Sequence, residues 1–304
     1  MAVIATPTRG AATFDDVANT NDVYGLIEKV GKQTFGEVKT SNRLARFDKG
    51  FLEYGTTIED SLVLAAESRA YNPNASSATT PVMPKLVTRY LNEWVERDYP
   101  VSIKDEQVRA VLTGAMTVGD LASASLASLD AGERRDDYAD MKAVFAKFAA
   151  EWARDTQRVP LAEGATLTDL LERIRYVASD MSYDNALYTG IDPEEAVVQT
   201  ETPTSKLVIV MPHALVNKLD VRVFAAMFNL EKGNIVPEIV PIDTNDGLVY
   251  ITDEDAFGAI TKFRDFGMVQ NRNARSRDYL LSVTKMFYYN PIYKTAVIDA
   301  SALD

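Results

Sequence analysis

The chain contains a single histidine, His213, so any catalytic group that pairs a nucleophile with an imidazole base would have to use it. His213 follows Pro212 at the end of the apolar run KLVIVM, where a helix is expected to begin. We therefore favour a residue that starts a helix and has a hydrogen-bonded ring. The absence of cysteine excludes a thiolate nucleophile, a disulfide and a zinc site with cysteine ligands.

Acidic residues form two groups that could supply paired carboxylates for acid–base chemistry. One group contains Glu133, Asp136 and Asp137, and the other occupies residues 253–255. Both groups stand where helices are predicted to begin. Capping and compensation of the helix dipole are therefore the favoured interpretation of both.

Residues 243–247, DTNDG, are similar to the start of a calcium loop, and Glu254 falls at the twelfth position counted from Asp243. Gly247 is misplaced for such a loop, however, and β-rich sequence fills the interval that should supply ligands. A tight turn is the favoured interpretation. It predicts a hairpin of two strands, residues 235–242 and 248–252.

Residues 271–277, NRNARSR, are the one concentrated basic patch, with Arg272, Arg275 and Arg277. The patch could bind DNA or an acidic neighbouring subunit. The formal net charge of the chain is −12, which disfavours a nucleic-acid-binding surface. We therefore favour the acidic neighbour.

The strongest helical pattern covers residues 136–155, where apolar residues recur at steps of three and four. Two shorter helices are predicted before it, at 105–114 and 117–129. Another begins at a capping box formed by Thr166 and Asp169. The predicted core residues of the long helix are Tyr138, Met141, Val144, Phe145, Phe148 and Trp152.

Extended chain is predicted for residues 50–67 and 86–103, on either side of a segment, 71–84, that has three prolines and little apolar content. This order indicates a long two-stranded excursion with a polar tip. A loop of that length is uncommon unless it has a function.

The second half of the chain has mixed character. Residues 206–211 predict a strand that is buried on both faces, and a pair of helices should follow over 215–228. Residues 253–263 predict a short helix, and residues 279–298 predict one or two strands that return to the main body.

With 304 residues, 46% of them apolar, the chain can bury one large core or several smaller ones. No run approaches ~18 consecutive apolar residues, and the first ten residues lack the features of a signal peptide. A soluble, unexported protein is therefore expected, and nothing indicates a cofactor, a metal or a membrane partner.

The order of these parts resembles the Hong Kong 97 fold of tailed-phage major capsid proteins. Residues 53–73, EYGTTIEDSLVLAAESRAYNP, are similar to the start of the extended loop in the head proteins of small phages. Residues 101–114 are similar to the entry into their peripheral domain, and residues 215–243 and 249–263 to their central domain. The resemblance covers most of residues 50–300.

The resemblance implies an α+β fold of five parts. These are an N-terminal arm (1–49), an extended β-hairpin loop (50–104), a peripheral domain (105–181) with a long helix (136–156), an axial domain (182–270), and C-terminal strands (271–304) that return to the peripheral domain.

It also implies a structural protein, not an enzyme, that self-assembles into hexamers and pentamers of an icosahedral head around packaged double-stranded DNA. Its partners would be copies of itself, together with possible scaffolding, portal and cement proteins. The expected location is the virion capsid, after assembly in the host cytoplasm. Residues 1–45 are too short for a large internal scaffolding segment.

Residues expected at contacts between subunits lie on the excursion and on the basic patch. Some members of the fold form a covalent bond between a lysine on the extended loop and an asparagine on a neighbour. Lys85 is the lysine near the predicted tip, but nothing in the sequence identifies a partner asparagine, so this bond is not expected. The contact candidates are Tyr71, Pro73, Lys85, Trp94, Arg272, Arg275 and Arg277.

The sequence is also compatible with two other functions. An encapsulin-like nanocompartment shares the fold and would enclose a protein cargo. A carboxylate-dependent hydrolase would use acidic residues between 182 and 270.

Overall fold

The computed structural model describes residues 40–52, 57–68, 82–104, 118–219, 237–244 and 246–303. The chain divides into two compact units. The first is built around Glu96–Asp136 and Arg264–Val283, and the second contains Asn42–Val95, Asp137–Phe263 and Thr284–Asp304. The predicted helix at 105–114, the second helix of the pair predicted over 215–228, residues 71–81 of the proline-rich tip and the first 39 residues lie outside the described residues.

The helices are α1 (Val118–Lys147), α2 (Leu167–Met181) and α3 (His213–Lys218). The strands are β1 (Asp48–Phe51), β2 (Ile58–Val63), β3 (Leu86–Leu91), β4 (Val95–Lys104), β5 (Arg158–Val159), β6 (Leu207–Pro212), β7 (Glu238–Ile242), β8 (Leu248–Asp253), β9 (Phe257–Asn271), β10 (Ser276–Tyr289) and β11 (Thr295–Asp299). No helix in the described ranges is both long enough and apolar enough to span a membrane.

The second unit is organised around a five-stranded sheet in the order β5-β11-β8-β6-β7. All six residues of β6 are buried, which confirms the predicted strand. Its side chains alternate between two cores. Leu207, Ile209 and Met211 belong to the core on one face, whereas Val208 and Val210 belong to the core on the other.

The predicted hairpin between β7 and β8 is wrong, because β6 lies between them in the sheet. β6 pairs in parallel with β7 and antiparallel with β8. A strand that is apolar on both faces is most stable in the interior of a sheet, with a hydrogen-bonded neighbour on each side. The turn residues of the DTNDG segment therefore do not decide which strands pair.

Helix α2 packs its predicted apolar stripe into the first core. Leu170, Ile174, Val177 and Met181 are fully buried. The helix begins at the predicted capping box, in which the Thr166 hydroxyl accepts from the Asp169 amide and the Asp169 carboxylate accepts from the Thr166 amide. The sequence rule for this helix start is confirmed.

Helix α1 is one continuous helix of 30 residues, where the sequence predicted two helices with a break near residue 130. It continues as a π-helical turn over Phe148–Trp152. A glycine within a helix costs only about 1 kcal/mol relative to alanine, so Gly132 does not end it. The ring of Tyr99 would lie 3.3 Å from a Cβ at Gly132, so the glycine provides room for that ring. The buried positions Met141, Phe145 and Phe148 agree with the prediction.

The predicted helix at 253–263 is also wrong, because strand β9 begins at Phe257. β9 lies between β1 and β10 in a sheet of order β1-β9-β10-β4. A Cβ at Gly258 would lie 2.4 Å from the ring of Tyr288 on β10, so the close approach of that ring requires glycine. The predicted C-terminal strands are confirmed as β10 and β11.

Candidate intersubunit contact surfaces

The strands of the predicted excursion, β2 and β3, pair antiparallel, with Ile58 opposite Leu91 and Val63 opposite Leu86. One face of this hairpin packs on its own unit. Val87 is buried in a cluster with Ile191, Val198 and Ile292. These contacts order the base of the hairpin within its own subunit, where the sequence predicted an excursion sent out of the domain body.

Arg89 fixes the same face through a bidentate ion pair, since its two terminal nitrogens lie 2.9 and 2.7 Å from the two carboxylate oxygens of Glu195. The hydrogen bonds from Arg89 hold the pKa of the Glu195 carboxyl below its ordinary value. The hairpin base is therefore positioned by both apolar packing and a charged pair.

The opposite face of the hairpin is open to solvent. Val63 and Leu86 are each 58% exposed and Tyr90 is 65% exposed. The hydroxyls of Ser61 and Thr88 form a cross-strand hydrogen bond of 2.9 Å between them. We call the face formed by Ser61, Val63, Leu86, Thr88 and Tyr90 the outer face. It carries apolar and hydroxyl groups, as protein contact surfaces do, together with the carboxylate of Glu59, which lies opposite Tyr90 and accepts a 3.3 Å hydrogen bond from the Ser61 hydroxyl.

Lys85 lies beside this face and is exposed. Its ammonium is 2.6 Å from Oε1 of Glu67, and hydrogen bonding to Lys85 lowers the pKa of the Glu67 carboxyl.

Trp94 is half-buried, and the ammonium of Lys262 lies 5.3 Å from its ring centroid. Trp94 therefore takes part in a cation–π contact within its own unit. Tyr71 and Pro73 lie outside the described residues.

The basic patch forms the turn between β9 and β10. Arg272, Arg275 and Arg277 are all exposed. Arg275 has a φ of 50°, in the left-handed region, and the side chain of Asn271 accepts a 3.1 Å hydrogen bond from the Ala274 amide. The structure thus brings the three arginines together at one tip, which is called the arginine turn below.

The acidic group 253–255 does not begin a helix, and two of its three residues, Glu254 and Asp255, form ion pairs. Glu254 lies 2.8 Å from Arg46, and Asp255 lies 2.7 Å from Lys49 and 2.8 Å from Lys206. Burial opposes ionisation of Asp255, but hydrogen bonds from Lys206 and Lys49 leave its pKa lowered. These ion pairs hold Arg46, just before β1, and Lys49, within β1, against the rest of the second unit.

Asp253 differs from its two neighbours because it is buried. Burial raises the pKa of its carboxyl, although that carboxyl accepts hydrogen bonds from the Thr202 hydroxyl and the Asp255 amide. No two carboxylates of this group converge on an open cavity, since each has its own partners. The arrangement is that of a structural anchor.

The other acidic group lies in the interior of α1, so the prediction that it caps a helix start is wrong. The guanidinium of Arg264 lies 3.0 Å from Glu133 and 2.6 Å from Asp130. Asp137 lies 2.6 Å from Lys285. These carboxylates therefore stabilise packing of the helix through ion pairs.

His213 is the first residue of α3, as predicted, and its side chain is exposed. The predicted hydrogen bond to its ring is absent within the described ranges.

Asp243, the first residue of the segment that is similar to a calcium loop, accepts a hydrogen bond from the Tyr138 hydroxyl at 2.6 Å and one from Lys142 at 3.1 Å, so it belongs to a contact with α1. No group of three or more potential metal ligands occurs in the part of the chain that the structure describes.

Sequence reasoning missed Lys294, which is fully buried. Its ammonium donates to the carbonyls of Met181 and Tyr183 and to the side-chain oxygen of Asn185, at 3.2, 2.7 and 2.9 Å. Burial lowers the pKa of Lys294 to about 8. A lysine in a strand-rich segment gives no sequence signal of such a role, because its acceptors come from a distant part of the chain.

Comparison with known proteins gives matches along nearly the whole chain. A sequence profile described as "Phi29-like phage major capsid protein" matches residues 5–298. The major capsid proteins of Bacillus phages GA-1 and PZA are 24% and 21% identical to this chain over 97% and 96% of its length. The chain spans 64% of the length of each of these two relatives.

Solved structures of similar fold come from phage capsids. The capsid structure of Staphylococcus phage Andhra has a TM-score of 0.67 at 13% identity and covers 89% of both chains. The capsid of Ralstonia phage GP4 has a TM-score of 0.58 at 12% identity and covers 91% of this chain and 96% of that chain. The predicted α+β capsid fold is therefore confirmed.

Proposed function

Since this chain belongs to the Phi29-like phage major capsid protein family, we propose that it is the shell subunit of a phage head. In this proposal, copies assemble into hexamers and pentamers that form an icosahedral shell around packaged double-stranded DNA. The single observation that carries the proposal is the family match over residues 5–298. The capsid fold of the solved relatives supports it.

Two exposed surfaces also support the proposal, because their side chains are of the kinds that contacts between subunits bury. The outer face of the β2–β3 hairpin presents three large apolar side chains to solvent, and the arginine turn presents three cations. A monomer gains nothing from exposing these groups, whereas a closed assembly of identical copies can bury them repeatedly. Of the residues predicted from the sequence to lie at contacts between subunits, we propose Lys85 and the three arginines as contact residues.

The domain boundaries predicted above are retained as part of the proposal. The paired strands β2 and β3 fall within the extended loop (50–104), α1 falls within the peripheral domain (105–181), and the five-stranded sheet draws most of its strands from the axial domain (182–270). The N-terminal arm (1–49) and the C-terminal strands (271–304) complete the scheme.

We infer a structural role without catalysis, in which the DNA is enclosed and not bound by sequence. The net charge of −12 supports weak attraction to DNA. Scaffolding, portal and cement proteins are proposed partners. Assembly in the host cytoplasm and residence in the virion complete the proposal.

Negative-stain electron microscopy of the purified chain, with analytical ultracentrifugation, tests the proposed function directly. Closed shells of uniform diameter are expected, either alone or after addition of a phage scaffolding protein. A chain that remains monomeric in every condition would contradict the proposal. Shells that co-purify with a protein cargo would identify a nanocompartment instead, and hydrolytic activity without assembly would identify the enzyme.

A further inference from the structure

The arginine turn is a cationic surface whose charges have no partner within the described residues. Its backbone is held by other groups, since Asn271 bonds the Ala274 amide and Ser276 donates a 2.9 Å hydrogen bond to Asp278. Hydrogen bonds from Ser102, Ser276 and Asn271 lower the pKa of Asp278, so this carboxylate stabilises the turn itself. The three arginines thus form no ion pair within the described part of the chain, and their charges attract an acidic partner.

Apolar side chains stand next to the arginine turn. Met268 is 60% exposed, Val269 is 65% exposed and Leu280 is 39% exposed. Met268 and Val269 are consecutive residues of β9, so apolar groups flank the turn on both faces of the hairpin. Arginine and methionine beside exposed apolar groups are typical of protein contact surfaces. A surface that binds only a phosphate backbone does not require the apolar groups.

A second surface of the chain has the opposite charge. Residues 180–202, called the acidic segment here, contain six Asp and Glu residues and no Lys or Arg. Two of the six are paired within the unit, Asp192 with Arg154 and Glu195 with Arg89. Asp184, Glu194 and Glu201 are exposed and form no ion pair within the described ranges, although Asp184 and Glu201 also attract the buried Lys294 ammonium, which opposes the lowering of its pKa by burial.

The acidic segment also exposes apolar groups. Tyr183 is 66% exposed, Leu187 is 45% exposed and Val197 is 57% exposed. Its backbone is fixed from inside, because the buried ammonium of Lys294 binds the Tyr183 carbonyl and the Asn185 side chain. A segment held in this way loses little conformational entropy when it binds a partner.

We propose that the arginine turn of one copy binds the acidic segment of a second copy of this chain. The inference rests on the proposed function, because a closed shell needs contacts in which two different surfaces of the same chain meet. Each surface presents three exposed charges of one sign that form no ion pair within the described residues, and each has exposed apolar side chains beside them. Charge sets the register of the contact, and the apolar groups exclude water from it.

Disulfide trapping tests this contact in the natural cysteine-free background. Arg275→Cys and Asp184→Cys are made as separate variants, mixed as unassembled subunits, assembled and oxidised. A disulfide-linked dimer is expected from the mixture and from neither variant alone, since the contact joins different surfaces of two copies. A mixture of Arg275→Cys with Glu163→Cys, an exposed acidic position outside the segment, is the matched control and should give no dimer.

The outcomes separate this inference from the proposed function. Electron microscopy of the same samples first shows whether shells form. If shells form and the Arg275→Cys and Asp184→Cys mixture gives no dimer, the contact is wrong while the capsid function stands. A dimer from Arg275→Cys alone would show that the turn meets a second arginine turn, and this also overturns the inference.

Charge exchange provides a second test. The triple variant Arg272→Glu, Arg275→Glu and Arg277→Glu should reduce the yield of shells at least tenfold, and so should the triple variant Asp184→Arg, Glu194→Arg and Glu201→Arg. Combining all six changes in one chain should restore assembly, because the pairs are re-formed with reversed signs. Unchanged shell yield of the arginine variant, or normal shells with reduced DNA content, would overturn the inference and in the second case assign the arginine turn to DNA.

Discussion

Gly247 and Gly50 show how one residue type can serve two different needs. Both have positive φ, 66° and 81° respectively. A Cβ at Gly247 would lie 2.5 Å from the backbone of Ser301, whereas a Cβ at Gly50 would meet nothing within 4 Å. Gly247 is therefore required by both conformation and space, and Gly50 by conformation alone.

We expect Gly247→Ala to lower the free energy of unfolding more than Gly50→Ala does. The left-handed conformation costs a residue other than glycine roughly 1–2 kcal/mol at either site. Steric overlap with Ser301 should add about 1–3 kcal/mol at Gly247 only. Urea unfolding of unassembled subunits, followed by tryptophan fluorescence, measures both. Equal losses would show that the backbone at Ser301 moves without cost.

Lys294 provides a prediction that depends on pH. At pH 7, Lys294→Met should lower the free energy of unfolding by about 1–3 kcal/mol, because one buried and two partly buried acceptors lose their donor. Burial lowers the pKa of Lys294 from 10.5 to about 8 in the folded chain. Between these two values the unfolded chain binds a proton that the folded chain has released, so wild-type stability rises relative to the variant as the pH increases.

The measurement compares urea midpoints of the wild-type protein and Lys294→Met at pH 7, 8, 9 and 10. The difference should widen across this series. It ends at pH 10 because tyrosines of the unfolded chain then begin to ionise, and burial raises the pKa of Tyr188 to about 12 in the folded chain. A difference that is independent of pH would show that Lys294 keeps its ordinary pKa.

At the scale of elements, β1 illustrates how a short strand is held in place. It pairs with β9 at only two recorded positions, Asp48 with Ala259 and Phe51 with Thr261, and all four of its residues are exposed. Its attachment therefore depends on Phe47, which is fully buried, and on the ion pairs of Arg46 and Lys49.

Removing the Arg46 pairs should loosen β1 before it affects the rest of the unit. We expect Arg46→Met to increase amide hydrogen exchange at Leu52, whose amide donates a 2.8 Å hydrogen bond to the Thr261 carbonyl. Partly exposed ion pairs contribute up to ~1 kcal/mol, and added salt should reduce the difference from the wild-type protein. Lys142→Met, which removes an ion pair with Asp243, is the matched control and should leave exchange at Leu52 unchanged.

At the scale of the whole molecule, the outer face of the β2–β3 hairpin should serve assembly and not folding. Tyr90 is 65% exposed and lies opposite Glu59, so Tyr90→Asp should lower the free energy of unfolding of the subunit by no more than ~1 kcal/mol, through repulsion between the two carboxylates. It should nevertheless prevent shell formation, because the contact would lose the Tyr90 ring and a second carboxylate beside that of Glu59 would have to be desolvated. Electron microscopy and ultracentrifugation measure the yield of shells.

The matched control for this prediction is Tyr176→Asp, at a tyrosine of α2 that is 58% exposed. This variant should assemble like the wild-type protein. If Tyr90→Asp also forms normal shells, the outer face of the hairpin is not a contact between subunits.

The amino-acid sequence by itself determined the elements whose local pattern and burial agree. Residues 206–211 were predicted as a strand buried on both faces, and residues 166–181 as a capped helix with one apolar stripe, because apolar spacing and caps are properties of neighbouring residues. The local resemblance of residues 53–73, 101–114, 215–243 and 249–263 likewise led to the capsid fold, which the comparisons confirm.

Only the tertiary structure decided which elements meet. β6 lies between β7 and β8 because a wholly apolar strand needs a neighbour on both edges. The turn sequence between β7 and β8 does not show that β6 takes the place beside β8. Residues 257–263 form a strand because β1 and β10 supply the hydrogen bonds, and Gly258 admits the ring of Tyr288. The acceptors of Lys294 are brought together from residues over 100 positions away. Such contacts depend on distant parts of the chain, so local patterns of sequence do not contain them.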